Sequence, residues 1–152
     1  SVANVFGIII SATVFGLYLT YAQIPQKLTS LILGMDVGPI GFLLLVNVML
    51  LIMGMLIDSA AVLLIAVPLL YPVAMQLGID PIHFGIVCIL NLSIGALTPP
   101  FGATMYQCCN LCEIEMPEFL KQGKELIAAL LIALLVVTFV PGIATLLPAM
   151  MK

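Results

Sequence analysis

Charge is what this sequence has least of. Only 7% of its 152 residues are Asp, Glu, Lys or Arg, against 64% hydrophobic ones, and the mean hydropathy is strongly positive. A water-soluble domain of that composition would carry a large continuous apolar surface, so the chain is expected to be an integral membrane protein. The formal net charge of −3 rests on too few groups to bind nucleic acid, and no run of lysines is present to gather lipid headgroups. A single histidine, His83, excludes the His pair of a membrane zinc protease. An aspartyl protease wants two carboxylates side by side, and Asp58 stands alone in its apolar stretch. Enzyme chemistry is therefore disfavoured, and a membrane scaffold is one alternative. The chain also begins without methionine or a basic leader, so it is expected to be a piece of a longer polypeptide.

What is present divides into apolar stretches. Residues 2–22 are uncharged, about the roughly 20 residues a spanning helix needs. Residues 25–33 (PQKLTSLIL) read as an interfacial helix, followed by a turn region at Gly34, Gly38 and Pro39. Between Asp36 and Asp80 lies room for two helices, divided by Asp58-Ser59. Asp80-Pro81 starts the next helix, with aspartate as N-cap and proline where its missing N–H costs nothing. The only clearly wet segment is 113–125 (EIEMPEFLKQGKE), and a last span over 126–151 is bent or ended by Pro141-Gly142 and Pro148. The resulting division is 1–36, 37–78 with a tip at 54–59, 79–112 with a break at 95–102, and 113–152.

The break is the strongest signal. In SIGALTPPFGAT, residues 93–104, the pair Pro99-Pro100 removes two consecutive amide donors and bars Thr98 and Pro99 from comfortable helical geometry. Carbonyls near Gly95, Ala96 and Leu97 and amides near Gly102 and Ala103 lose their helical partners. Each would cost on the order of several kcal/mol facing hydrocarbon, so protein, water or an ion must satisfy them. Discontinuous helices at membrane depth commonly mark transport sites, with freed carbonyls suited to cations. The bland alternative is a packing kink.

Asp58, in MGMLIDSAA, is the second signal. An ionised carboxylate at mid-bilayer costs at least ~2.5 kcal/mol, so it should face a partner or a cavity. Asp58 and Ser59 are natural N-caps for the helix that follows, and Gly54 weakens the one before. Two short apolar segments meeting there fit a re-entrant hairpin with an intramembrane tip, and equally two full spans with Asp58 at the far surface. Weaker candidates read as ordinary: His83 as an interfacial residue, Met49, Met53 and Met55 as packing, and the free thiols Cys88, Cys108, Cys109 and Cys112 as small hydrophobes. The Cys108-Cys109-x-x-Cys112 spacing lacks the four ligands of a structural zinc site.

Taken together, GMLIDSAAVLLIAVPLLYPVAMQLGIDPIHFGIVCILNLSIGALTPPFG, the QIPQKL exit of the first helix and the closing TFVPGIATLLPAM resemble the C-terminal half of the large membrane subunit (M, or DctM, type) of tripartite ATP-independent periplasmic (TRAP) transporters. The resemblance implies an all-α integral membrane fold: the second inverted repeat of an elevator-type transporter, with a re-entrant helical hairpin and a broken transmembrane helix. It implies multi-pass placement in the bacterial inner membrane and Na+-coupled symport of an organic acid, such as a C4-dicarboxylate or a sialic acid. The implied partners are a small membrane subunit, a periplasmic substrate-binding protein and the lipid bilayer. Carried onto this chain, the ion and substrate site falls on Gly54, Asp58, Ser59, Gly95, Thr98, Pro99, Pro100 and Gly102, with sodium held through Gly54, Gly95, Thr98 and Asp58. Unwound glycine-rich backbone supplies the several oxygens a hard cation wants without burying many charges. Lys121 and Lys124 then mark the cytoplasmic face, and the family's first repeat lies outside this chain.

Overall fold

The computed structural model describes residues 38–56, 58–99 and 102–150, with isolated positions among the first 37. The expected first span and interfacial helix lie outside the continuously described segments, as do Asp36, Pro100 and Phe101. Six helices are described: α1 (Pro39–Leu56), α2 (Ser59–Gln76), α3 (Pro81–Leu97), α4 (Ala103–Cys112), α5 (Met116–Phe139) and α6 (Pro141–Met150). Among the described residues there is no strand, and α1, α2 and α5 are long and apolar enough to cross a membrane.

Local chemistry sets the helix ends. Pro39 opens α1 at a position that needs no amide donor, and the Gly38 carbonyl accepts from Phe42 N at 3.0 Å. Asp58 caps α2, its Oδ2 accepting from Ala60 N at 3.0 Å and Ala61 N at 3.4 Å. That helix closes in a Schellman turn: Gly78 takes φ +74°, its amide donates to Met75 O, and the Ile79 amide reaches back to Ala74 O at 3.0 Å. Ile79 is buried beneath the turn. Asp80 immediately caps α3, with Oδ1 accepting from Ile82 N at 2.8 Å and His83 N at 3.2 Å. So short a connection sends α3 back alongside α2.

Most of the wet segment is helix. Glu115 caps α5, Pro117 occupies the first turn, and Glu118, Lys121 and Lys124 lie on helix that runs unbroken into the apolar residues. Lys and Glu are good helix formers, and Glu118 accepts from Gln122 one turn on, so polarity here does not interrupt the helix. Pro141 ends α5 and begins α6.

Helix α3 is the hub. One side of it, through Phe84, Cys88 and Leu92, packs on Phe42, Val46 and Leu50 of α1 and on Val62, Leu70 and Val73 of α2. Its other side places Val87 and Ile94 against Leu134 of α5. The Phe42 and Phe84 rings stack with centroids 6.4 Å apart near the starts of α1 and α3, and Gly54 meets Gly95 near their ends. Hence α1 and α3 run parallel over about 18 Å. The tip between α1 and α2 therefore lies beside the C-terminal end of α3, where the helix breaks.

Candidate functional site: the hairpin tip and the broken helix

Lipid is as apolar as leucine, so close van der Waals approach and interhelical hydrogen bonds carry much of helix association in a bilayer. Both concentrate around the break. A Cβ placed on Gly95 would lie 3.0 Å from the Cα and carbonyl carbon of Gly54 and 3.2 Å from Leu51 O, whereas one on Gly54 would meet nothing closer than 3.4 Å. The backbones of α1 and α3 thus touch where two glycines coincide. Beside this contact, Ser59 Oγ donates to Leu92 O at 3.2 Å, tying the first residue of α2 to α3. Gly95→Ala is expected to force the helices apart and destabilise the protein by about 1–3 kcal/mol, while Gly54→Ala changes it little. Thermal unfolding of both variants in detergent checks the asymmetry; equal effects would contradict it.

The helix ends by consuming some of its own orphan groups. Thr98 turns extended (φ −107°, ψ 138°), its amide donates to Gly95 O at 3.0 Å, and its Oγ1 donates to Ile94 O at 2.7 Å. The Gly95 oxygen is thereby occupied, and α3 stays helical through Leu97, so the break runs from Thr98 to Gly102. Ala96 O has lost its helical donor because residue 100 is proline. Gly102 is buried, with its α-carbon pressed into this bend: a Cβ there would lie 2.7 Å from Ala96 O and 2.8 Å from Thr98 O. Two carbonyl oxygens thus converge on one point, a place only glycine can occupy. Gly102 is also the N-cap of α4, with no side-chain cap.

The structure brings Gly54, Ser59, Gly95, Thr98, Pro99 and Gly102 into one region at the C-terminal end of α3. Asp58 stands at the tip as an exposed N-cap. Pro100 lies outside the described residues. Cys108, Cys109 and Cys112 share α4 beyond the break, half-buried, buried and exposed respectively.

Sequence reasoning missed a second polar assembly. Asn91 Nδ2 donates to Asn47 Oδ1 at 2.6 Å, Asn47 Nδ2 to Thr138 Oγ1 at 2.8 Å, and Thr138 Oγ1 to Leu134 O at 2.7 Å. All three side chains are buried, and the line crosses from α3 through α1 to α5. His83, expected at the interface, is instead buried, with Nε2 2.8 Å from Val137 O. Pro141 supplies no amide to that oxygen, so His83 takes the place of the missing donor, and Nε2 carries the proton because a carbonyl only accepts. Asparagine within an apolar run was the available signal, since a buried amide also needs partners.

Comparison with known proteins decides the family. The profile described as "Tripartite ATP-independent periplasmic transporter, DctM component" matches residues 1–143. The chain belongs to that family. Among its curated relatives, the sialic acid TRAP transporter large permease protein SiaM of Vibrio cholerae is 41% identical over 140 residues, covering 92% of this chain and 33% of the relative. The C4-dicarboxylate TRAP transporter large permease protein DctM of the same organism is 36% identical over 144 residues, covering 95% of this chain and 32% of the relative. The isethionate TRAP transporter permease protein DctMQ of Oleidesulfovibrio alaskensis is 36% identical over 132 residues, 87% of this chain and 21% of the relative. Their names are those of transporter permeases, not enzymes. This DctM-family chain spans about a third of the length of the large permease proteins it matches. The paired-glycine contact and the Thr98–Gly102 bend are features of a permease segment.

Proposed function

We propose that the chain is the part of a TRAP permease that binds the coupling sodium and, beside it, a small organic anion. The observation that carries this reading is the convergence of Ala96 O and Thr98 O at Gly102, between the end of α3 and the start of α4. Oxygen dipoles without a buried charge suit a hard monovalent cation, and the donor set is backbone, which the membrane tolerates only where something satisfies it. Ala96 and Thr98 carbonyls would hold the ion, with Thr98 Oγ1, which keeps a lone pair while donating to Ile94 O, and the tip residues around Gly54 and Ser59 alongside. When bound, sodium supplies charge that favours an anionic substrate nearby.

The relatives named for C4-dicarboxylate, sialic acid and isethionate are all named for small organic acids, and an anion of that class is the proposed cargo. It would be delivered by a periplasmic binding protein to a permease that includes a small membrane subunit, in the bacterial inner membrane. We also infer that the α1–α2 hairpin is re-entrant. What supports this is its tip lying level with the break, beyond which the chain still has the helix Ala103–Cys112 to run. Movement of hairpin and broken helix together, elevator fashion, completes the reading.

Thr98→Val keeps the shape and removes one oxygen. It is expected to raise the sodium concentration for half-maximal uptake several-fold in the full-length permease while leaving its detergent melting temperature within a few degrees. A sodium activation curve identical to the parent's would remove Thr98 from the site.

A further inference from the structure

The line Asn91–Asn47–Thr138 has an open end. Asn91 Oδ1 is buried and has no hydrogen-bond partner. A buried acceptor left unfilled costs free energy, and a partly satisfied polar network is generally less stable than an apolar one of the same shape. Leucines at 47 and 91 would therefore pack the α1–α3 seam at least as stably. Stability alone does not explain these asparagines.

Register does. Asn91 stands one helical turn before Gly95 and meets α1 on the side where Gly95 meets Gly54. It also adjoins Leu92, whose carbonyl receives Ser59 Oγ. The glycine contact has almost no slack: at 3.0 Å, backbone already fills the place of a side chain. Apolar side chains tolerate sliding along the seam, but the Asn47–Asn91 bond, at 2.6 Å, does not. Single buried amides fix helix register in this way at some cost in stability. The amide nitrogen of Asn47 then ties the same register to Thr138 on α5.

We propose that Asn47, Asn91 and Thr138 are positioning residues of the ion site, setting how the hairpin tip lies on the broken helix and coupling that setting to the last long helix. This rests on the reading of the break as a sodium site. Thr138 lies near the opposite end of α3, across from its N-terminal half, because α5 meets α3 there through His83 and Val137. The hydrogen-bonded route from Thr138 toward the break runs through the two asparagines.

The test is sodium activation of uptake by the full-length permease with its partner proteins in proteoliposomes, with detergent melting measured on the same preparations. Thr138→Val is expected to raise the half-saturating sodium concentration about threefold and Asn91→Leu about tenfold, the scale of one or two interhelical hydrogen bonds. Thr138→Ser, which keeps the hydroxyl, should match the parent. The double variant Asn47→Leu with Asn91→Leu leaves neither amide without its partner, so it should fold and melt at or above the parent temperature yet show the full sodium shift. It stands in if Asn91→Leu alone fails to fold. Folded variants with parental half-saturation, or a Thr138→Ser shift equal to that of Thr138→Val, would overturn the proposal. If the parent's uptake ignores sodium, the reading of the break has failed, and the positioning role falls with it for that separate reason.

Discussion

Gly102→Ala is expected to reduce sodium-driven uptake at least about tenfold and to destabilise the permease. The added Cβ would lie 2.7 Å from Ala96 O and 2.8 Å from Thr98 O, and both neighbours are backbone, so no flexible side chain can swing away. Something must move by several tenths of an ångström. The cost of such overpacking is about 1–3 kcal/mol, and the groups displaced are the two carbonyls assigned to the ion. One tenfold step in affinity is about 1.4 kcal/mol, so even partial displacement is readable as a shifted sodium activation curve. Uptake and detergent melting of the full-length protein would be measured together. Normal uptake with normal sodium half-saturation would show that these carbonyls are not ligands.

Replacing both prolines, Pro99→Ala with Pro100→Ala, is expected to abolish most transport for a different reason and with the opposite effect on stability. Proline in a helix interior is about 3 kcal/mol worse than alanine, because it lacks the N–H and clashes with the preceding turn. Alanines restore donors for Gly95 O and Ala96 O and allow α3 to run on toward α4. The carbonyls then turn back into the helix. Melting temperature should hold or rise while uptake falls, whereas Gly102→Ala lowers both. This pair of signs separates loss of the ion site from general damage. Full uptake by the proline-free variant would reduce the bend to a packing kink.

Those two experiments act on features that differed in how readable they were. The double proline announces a break in any helix, since missing amides are a covalent fact, and the Asp80-Pro81 start is equally local: the carboxylate caps α3 in the structure as its chemistry requires. Asp58 as a cap was legible on the same grounds. The identity of the oxygens at the break was not. Gly95 O looked free from the sequence, yet Thr98 folds back to fill it, and the convergence of Ala96 O and Thr98 O depends on how tightly residue 102 returns. Loop return is a tertiary matter.

Long-range pairing was the other hidden layer. Gly54 and Gly95 each looked like local helix weakeners, whereas their shared role is to let two backbones touch across 41 positions of sequence. Asn47, Asn91 and Thr138 carry no charge and sit in apolar runs, so a search for intramembrane charge passed over them. His83 looked interfacial because it follows a helix start, but Pro141, 58 residues on, leaves a bare carbonyl for it to reach. The wet segment showed its polarity but not its helix: Glu118, Lys121, Lys124 and Glu125 all lie on α5.

The bend at Gly102 is proposed to bind the sodium ion that drives uptake. The most direct measurement is uptake of a radiolabelled organic acid by proteoliposomes containing the full-length permease and its small subunit, supplied with loaded binding protein, under an inward sodium gradient and under a matched potassium gradient. Accumulation is expected with sodium and none with potassium, with a half-saturating sodium concentration that rises in Thr98→Val. Equal accumulation under both gradients would contradict this assignment.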